Sequence, residues 1–208
     1  MIIAVDGPTA SGKGTIARAL AARFGLPHLD TGLLYRAVGR QVALAGGDAD
    51  SPADALAATA FADSLLADPE LRSEATGGLA SRVSVHPGVR AALYQRQRAF
   101  ATQPGGAVLD GRDIGTVIAP EAEVKLFITA SLPARAERRY LEMRASGRAA
   151  DRATIAAELA ARDARDRERA EAPFVAAADA VELDTSALAR EAAIAAAIAL
   201  VERIMRPR

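Results

Sequence analysis

The stretch IIAVDGPTASGKGTIARALAARFG, residues 2–25, decides the fold of this chain. Residues 2–6 form an apolar run typical of a buried strand, a glycine-rich loop of the form G-x-x-x-x-G-K follows, and a helix-period segment then ends at Gly25. In a loop between strand and helix, backbone N–H groups converge on phosphate oxygens, and the helix N-terminus adds partial positive charge. The loop predicts a site for a nucleoside triphosphate, and its residues are Gly7, Pro8, Thr9, Ala10, Ser11, Gly12, Lys13, Gly14 and Thr15.

Further apolar runs bounded by turn residues occur at 26–30, 107–110, 124–130 and 180–184. Helix-period segments lie between them, and this alternation predicts an α/β fold, a P-loop three-layer sandwich with a five-stranded parallel sheet. One domain is expected over 1–208, with a small inserted acceptor-binding lobe at about 31–100 and a short lid at about 140–160. The last helix is expected to be capped by Thr185 or Ser186.

Composition excludes several classes of protein. The 208 residues carry a formal net charge of zero and are 50% hydrophobic, so neither a disordered tail nor a general attraction to nucleic acid is indicated. The absence of cysteine excludes disulfides and thiolate nucleophiles. The apolar run AAIAAAIALV is shorter than the roughly 20 residues of a membrane span, and the chain opens with a strand instead of a signal segment. We expect a cytoplasmic monomer with no nucleic-acid or membrane partner.

The residues around Lys13 narrow the choice of nucleotide enzyme. The common P-loop has a hydroxyl directly after the lysine, whereas here Gly14 follows and the hydroxyl comes at Thr15. A GTPase would need an N-K-x-D segment, and the chain contains no asparagine. A small-molecule kinase fits best. A P-loop protein that binds nucleic acid stays open as a hypothesis from another class, although five phenylalanines and three tyrosines supply few stacking platforms.

An arginine-rich segment suggests the acceptor. A monophosphate acceptor is already an anion, so bringing it to a triphosphate requires charge neutralisation instead of a general base. Guanidinium groups suit this task, and Arg162, Asp166 and Arg169 fall on one stripe of a predicted helix. Spacing alone also allows a solvated helix, whose surface ion pairs would each be worth only about 0.3–0.5 kcal/mol.

Five further segments follow one order over nearly the whole chain: DTGLLYR (30–36), GVRAALYQRQRAF (88–100), DGRDIGTV (110–117), RDARDRERAEAP (162–173) and DAVELDTS (179–186). In these motifs the sequence resembles the cytidylate kinase family, and the third and fourth segments together are far more specific than the loop. The resemblance implies phosphorylation of CMP and dCMP with ATP and Mg²⁺. The alternative is a kinase for UMP or AMP, or for a small hydroxylated metabolite such as shikimate.

The resemblance also implies roles for individual residues. Asp113 resembles the family's acceptor for the cytosine amine, and uracil would be disfavoured there because a lost hydrogen bond at a buried charge costs about 1.5–3 kcal/mol. The implied ligands of the acceptor phosphate are Arg36, Arg112 and Arg169, those of the ribose are Arg162 and Asp166, and those of the base are Asp113, Arg90, Ser81 and Thr31, with Tyr35 also on the substrate side. The implied donor-side residues are Arg135, Arg138 and Arg139, the metal-side residues are Thr15 and Asp110, and the catalytic residues are Lys13, Arg112 and Arg169.

Some features depart from the family pattern. The segment ADSLLADPELRS (62–73) is too short for the strand-rich insert that the family commonly carries in its acceptor lobe. Ala10 stands where the loop often has glycine, and Phe174 stands where leucine is frequent and is expected to touch no substrate-binding residue. His28 and His86 have no metal-ligand companions in the sequence and are interpreted as structural.

Overall fold

Five parallel strands form the centre of the molecule. A computed structural model describes residues 1–168 and 172–206. Its strands are β1 (Ile2–Asp6), β2 (His28–Asp30), β3 (Ala107–Gly111), β4 (Val124–Thr129) and β5 (Val181–Asp184). They lie in the order β2-β3-β1-β4-β5, and all neighbouring pairs are parallel. This confirms the predicted five-stranded parallel sheet. The connection after β1 runs to β2 on one side of the sheet and the connection after β3 runs to β4 on the other, so the carboxyl ends of β1 and β3 lie where α/β sheets bind ligands.

Helices cover both faces of the sheet. The α-helices of the described ranges are α1 (Lys13–Phe24), α2 (Thr31–Leu44), α3 (Pro52–Ala57), α4 (Glu74–Val83), α5 (Pro87–Ala101), α6 (Leu132–Ala145), α7 (Arg152–Glu168) and α8 (Arg190–Ile204). A single-turn π-helix, Ile114–Ile118, follows β3. Helices on both sides of one sheet make the three-layer α/β sandwich expected from the sequence.

Local sequence signals fix most helix ends. Gly25 ends α1 with φ 65°, a left-handed conformation that glycine adopts without steric cost. Ser131 caps α6 by accepting a hydrogen bond from the Ala134 N–H at 3.4 Å. The predicted cap of the last helix is wrong, because α8 begins only at Arg190. Thr185 is instead buried beside the phosphate loop, where its hydroxyl donates to the carbonyl of Ser11 at 2.9 Å.

The sheet is held by apolar layers on its two faces. On one face Ile3 and Val5 of β1 pack with Ile16 and Leu20 of α1 and with α8. On the other face β1 and β3 pack against the π-helix and α5. Each fully buried aliphatic side chain contributes roughly 1.5–3 kcal/mol to folding. These layers fix the loop that begins at the end of β1.

The chain between β2 and β3 has an apolar core of its own. Leu34, Val38, Leu71, Val83 and Leu93 are buried there together. Residues 62–73 form two short 3₁₀ turns, Asp63–Ala67 and Pro69–Arg72, so this region is built from helices and turns. The boundaries of a lobe at 31–100 and of a lid at 140–160 stay predictions.

The helices of the described ranges are also too short, or too polar, to cross a bilayer.

Candidate active site

A cavity of about 180 Å³ opens at the carboxyl ends of β1, β2 and β3. Both basic and acidic side chains line it, and they come from distant parts of the sequence. Its charged lining residues are Lys13, Asp30, Arg36, Arg90, Asp110, Arg112, Asp113, Arg162 and Asp166. The concentration of positive groups in one cavity fits a strongly anionic ligand.

The phosphate loop forms one wall of this cavity. Burial and the neighbouring Arg112 lower the pKa of Lys13 to about 8, although Asp110 and Asp30 act in the opposite direction. Gly7 permits the loop to pass under β4, because a Cβ there would lie 2.3 Å from the carbonyl oxygen of Ile128. Ala10 has φ 62°, in the left-handed region that costs a non-glycine residue roughly 1–2 kcal/mol.

Two carboxylates lie beside Lys13. Burial and the charge of Asp110 raise the pKa of Asp30. The carboxylate of Asp110, which is 2% exposed, is 2.8 Å from Nε2 of His28. His28, interpreted from the sequence as structural, therefore contacts an acid of the cavity. Asp30 was missed, although its position at the end of a predicted strand, as the first residue of DTG, was the signal for it.

Three arginines line the acceptor side of the cavity. Arg36 is held by the carbonyls of Leu71 and Ser73, at 2.7 and 2.9 Å from Nη1. Gly77 leaves room for it, because a Cβ at that position would lie 2.9 Å from Nη2 of Arg36. Arg36 is thus oriented by the same turns that replace the expected insert.

Arg112 is oriented by two side chains. Its Nε donates to Asp166 at 2.9 Å and its Nη2 donates to Oγ1 of Thr9 at 2.6 Å. Its guanidinium also lies 5.7 Å from the ring centroid of Phe174. The expectation that Phe174 would touch no substrate-binding residue is therefore wrong. Sequence spacing could not show it, because the contact joins two distant segments.

Arg162 differs from these two. Its Nε is buried and has no hydrogen-bond partner within the described part of the chain. Burial, followed by repulsion from Arg112 and Arg36, lowers the pKa of Arg162 to about 9, while Asp166 opposes that shift. At neutral pH it is still a cation, and its Nε–H donor has no acceptor among the described residues.

The side chains expected to read a base lie at the other end of the cavity. Asp113 and Arg90, both buried, form an ion pair, and Arg90 stacks 5.8 Å from the ring of Tyr35. Oγ1 of Thr31 donates to the backbone carbonyl of Asp110 at 2.8 Å. These four residues line the cavity together.

Ser81 does not join them. Its hydroxyl accepts from Nε of Arg165 at 3.1 Å, and the cavity is lined by Ser84, one helical turn further along. Sequence reasoning missed Ser84, although i+3 spacing from Ser81 was available as a signal.

Two of the donor-side arginines donate to the phosphate loop, Nη1 of Arg135 to the carbonyl of Thr9 and Nη1 of Arg138 to that of Ser11, both at 3.3 Å, but their other partners differ. Arg135 is buried in an ion pair with Asp163. Arg138 bonds Thr185 and lines a second cavity of about 300 Å³ with Ser11, Gly12 and Thr15. Arg139 pairs with Glu74 of α4, on the acceptor side. Of the three, only Arg138 lines the second cavity, and their role at the donor nucleotide stays a prediction.

The two residues expected near a metal also line different cavities. Thr15 lines the second cavity, whereas Asp110 lines the first. The described residues contain no group of three or more side chains that could hold a metal ion by themselves. Asp110 is nevertheless buried and Asp30 half-buried, and a divalent cation would relieve their mutual repulsion. Mg²⁺ is usually held by one or two carboxylates with phosphate oxygens and water. The acid pair therefore fits Mg²⁺, and the predicted metal role of Thr15 and Asp110 stays a prediction.

Arg169, predicted to be catalytic and to bind the acceptor phosphate, lies outside the described residues.

A phosphate loop between β1 and α1, next to a cavity rich in guanidinium groups, defines the class of P-loop phosphotransferases. Comparison with known proteins narrows the class. The family model described as cytidylate kinase matches residues 3–203. The chain therefore belongs to the cytidylate kinase family, as the sequence motifs indicated.

Two relatives illustrate the similarity. The chain is 57% identical over 203 residues to the cytidylate kinase of Xanthobacter autotrophicus, with 97% of each chain covered. It is 55% identical over 204 residues to that of Azorhizobium caulinodans, with 98% of each covered. A crystal structure of an uncharacterized protein from Eubacterium ventriosum has a TM-score of 0.54 and 14% identity over 99% of both chains, which supports the fold alone.

Proposed function

We propose that this protein transfers the γ-phosphoryl group of ATP to CMP and dCMP, giving ADP with CDP or dCDP. One observation carries the proposal. Arg36, Arg112 and Arg162 share a single cavity with Lys13, and the same cavity contains the Asp113–Arg90 pair. A cationic end suits a phosphate, and an end with one acceptor and one donor suits cytosine. Membership of the cytidylate kinase family supports the same acceptor.

The proposed chemistry depends on neutralising charge. A phosphate oxygen of CMP attacks the γ-phosphorus of ATP, and the bond to the β,γ-bridging oxygen breaks as ADP leaves. The nucleophile needs no general base, since it is already an anion. Arg36 and Arg112 hold the attacking phosphate from the acceptor side, while Lys13 holds the triphosphate from the loop. Ground-state repulsion between the two nucleotides is thereby reduced where the reacting oxygens meet.

Base selection rests on Asp113. A carboxylate accepts from the exocyclic amine of cytosine and faces the carbonyl of uracil unfavourably. Arg90 keeps that carboxylate oriented in the free protein and supplies a donor to the ring once the base is present. Ser84 adds a hydroxyl on the same wall of the cavity.

The donor nucleotide occupies the loop and the second cavity in this proposal. Residues 7–15 surround the triphosphate, and Arg138 and Leu188 line the space beyond the loop, where a purine would lie. Mg²⁺, when bound, screens the charge of the phosphates, and Asp110 and Asp30 are the side chains that would hold it. We also propose a monomer that works in the cytoplasm, where its nucleotides are made. Light scattering would test the monomeric state.

An assay of ADP release tests this proposal. CMP, dCMP, UMP, AMP, GMP and shikimate are each offered with ATP and Mg²⁺. We expect CMP and dCMP to have the highest kcat/KM, with UMP lower by about 10- to 150-fold if Asp113 reads the amine. Faster turnover of AMP or shikimate would overturn the proposal in favour of another kinase.

A further inference from the structure

Asp6 is a buried acid that the chemistry above does not use. It is the last residue of β1, directly before the phosphate loop, and it is 5% exposed. Its Oδ1 accepts the N–H of Ile114 at 2.9 Å and its Oδ2 accepts the N–H of Gly115 at 2.8 Å. One carboxylate therefore ties the strand that carries the loop to the turn that follows β3.

That turn carries two residues of the acceptor site. Arg112 and Asp113 immediately precede the π-helix Ile114–Ile118, whose first N–H groups have no partner within a single turn. Asp113 is in the capping position but makes no capping bond, because its carboxylate pairs with Arg90. Asp6 supplies the cap instead, so the carboxylate of Asp113 is not needed as a cap and can face the base beside Arg90.

We propose that Asp6 is a positioning residue, which holds Arg112 and Asp113 in register with the phosphate loop so that acceptor and donor phosphates meet in line. The proposal rests on the function proposed above. Asp6 touches neither nucleotide and acts through the backbone of residues 112–115. A loosened turn would misplace the acceptor phosphate, and a misplacement of about 1 Å costs on the order of 100-fold in rate.

The tie should weaken in acid. Burial raises the pKa of Asp6 to about 7. The N–H groups of Gly115 and Ile114 oppose that rise. The negative charge of Asp113 adds to it, and the positive charge of Arg112 opposes it. On β4, Lys125 packs its aliphatic stem near Gly115, with its ammonium paired to Asp179. A protonated carboxyl has only one oxygen that accepts well, so one of the two N–H groups loses its partner as Asp6 takes up a proton.

The test compares Asp6→Asn with Glu123→Gln. Glu123 is a matched control, because its carboxylate also accepts a backbone N–H of β1, that of Ile2 at 2.7 Å, but at the other end of the strand. In Asp6→Asn we expect kcat/KM for CMP to fall about 100-fold. The KM for ATP should change far less, and the preference for CMP over UMP should shrink because Asp113 shifts with the turn. Glu123→Gln should match the unmodified protein in all three.

A pH profile separates positioning from mere stability. The kcat/KM for CMP of the unmodified protein should fall below about pH 7 more steeply than that of Asp6→Asn. Titration of the CMP phosphate is common to both proteins, so the difference between the profiles reports Asp6. Two profiles of the same shape, or a kcat/KM of Asp6→Asn within about threefold of the unmodified protein, a change under 1 kcal/mol, would overturn the proposal.

Hydrogen exchange tests the hydrogen bonds between Asp6 and the turn without an activity assay. Protection factors of the Ile114 and Gly115 amides in the unmodified protein should be lower at pH 5.5 than at pH 8, on the two sides of the pKa of Asp6 near 7. Unchanged protection would refute the tie even if Asp6→Asn failed to fold. If the unmodified protein does not phosphorylate CMP, the proposed function fails, and the exchange data still show whether Asp6 holds the turn.

Discussion

Replacing Arg162 by methionine should make the free protein more stable and the enzyme less effective. The guanidinium keeps a buried Nε with no partner in the described part of the chain, and an unsatisfied buried donor costs about 1–3 kcal/mol, or more when charged. Methionine fills similar space without that cost. The melting temperature should rise by about 2–4 °C for each kcal/mol in a chain of this size.

The lowered pKa of Arg162 also predicts that this replacement stabilises the folded protein. Burial lowers the pKa of Arg162 from its ordinary value to about 9, so between these two values the unfolded chain holds more protons than the folded one. The unfolding free energy of the unmodified protein therefore rises with pH across that window, and at pH 7 the penalty of the buried charge is present in full. Arg162→Met removes the penalty at pH 7, where the comparison is easiest to make.

Catalysis should change in the opposite direction. A hydrogen bond to a charged group is worth about 1.5–3 kcal/mol, so the KM for CMP should rise about 10- to 150-fold. The assays are thermal unfolding with and without CMP, and ADP release. Arg167→Met is the control, because Arg167 is an exposed arginine of the same helix and should change stability by less than about 0.5 kcal/mol. The reasoning is refuted if Arg162→Met melts no higher than the unmodified protein or keeps its affinity for CMP.

Three further outcomes are expected. Lys13→Ala should abolish turnover without lowering the melting temperature, because the buried ammonium destabilises the free protein. In the unmodified protein the KM for ATP should rise above about pH 8, because the ammonium of Lys13 loses its proton there; a KM that stays flat to pH 9.5 would contradict this. Asp113→Asn should reduce the preference for CMP over UMP by about 10-fold or more in paired ADP-release assays, whereas an unchanged ratio would remove Asp113 from base selection. Gly77→Ala should raise the KM for CMP several-fold and leave the KM for ATP alone, because a Cβ 2.9 Å from Nη2 of Arg36 displaces the guanidinium; equal changes in both would indicate general unfolding, which circular dichroism would detect.

The sheet and the phosphate loop could be predicted because their signals are local. In residues 2–25 the strand, the loop and the helix follow one another directly in the sequence. The four other strands are short apolar runs with clear ends. The wrong cap of α8 shows the limit of such signals. Thr185 has the right side chain for a cap, but its contact with the carbonyl of Ser11, 174 positions away, uses that side chain elsewhere.

The candidate site was predicted less completely, because its geometry depends on contacts across the fold. Arg135, Arg138 and Arg139 were grouped because they resemble the family's lid-side arginines. Their i, i+3, i+4 spacing puts them near one helix face, but their long side chains reach different partners. Arg139 reaches Glu74 and Arg138 reaches Thr185, so they face opposite cavities. Asp6 and Asp30 were not selected, because a carboxylate at the end of a strand looks the same in sequence whether it caps a turn or faces a ligand.

The arrangement of charges explains how so many cations can share a small cavity before a nucleotide arrives. Asp166 holds Arg112 and Asp113 holds Arg90, so two of the guanidinium groups are already paired and oriented. Lys13, Arg36 and Arg162 bear the remaining repulsion, and all three have lowered pKa values in the free protein. An anion relieves that repulsion only when it lies between them, and a nucleotide bound elsewhere would not. The stability lost in the free protein is thus recovered on binding at the place where the two phosphates have to meet.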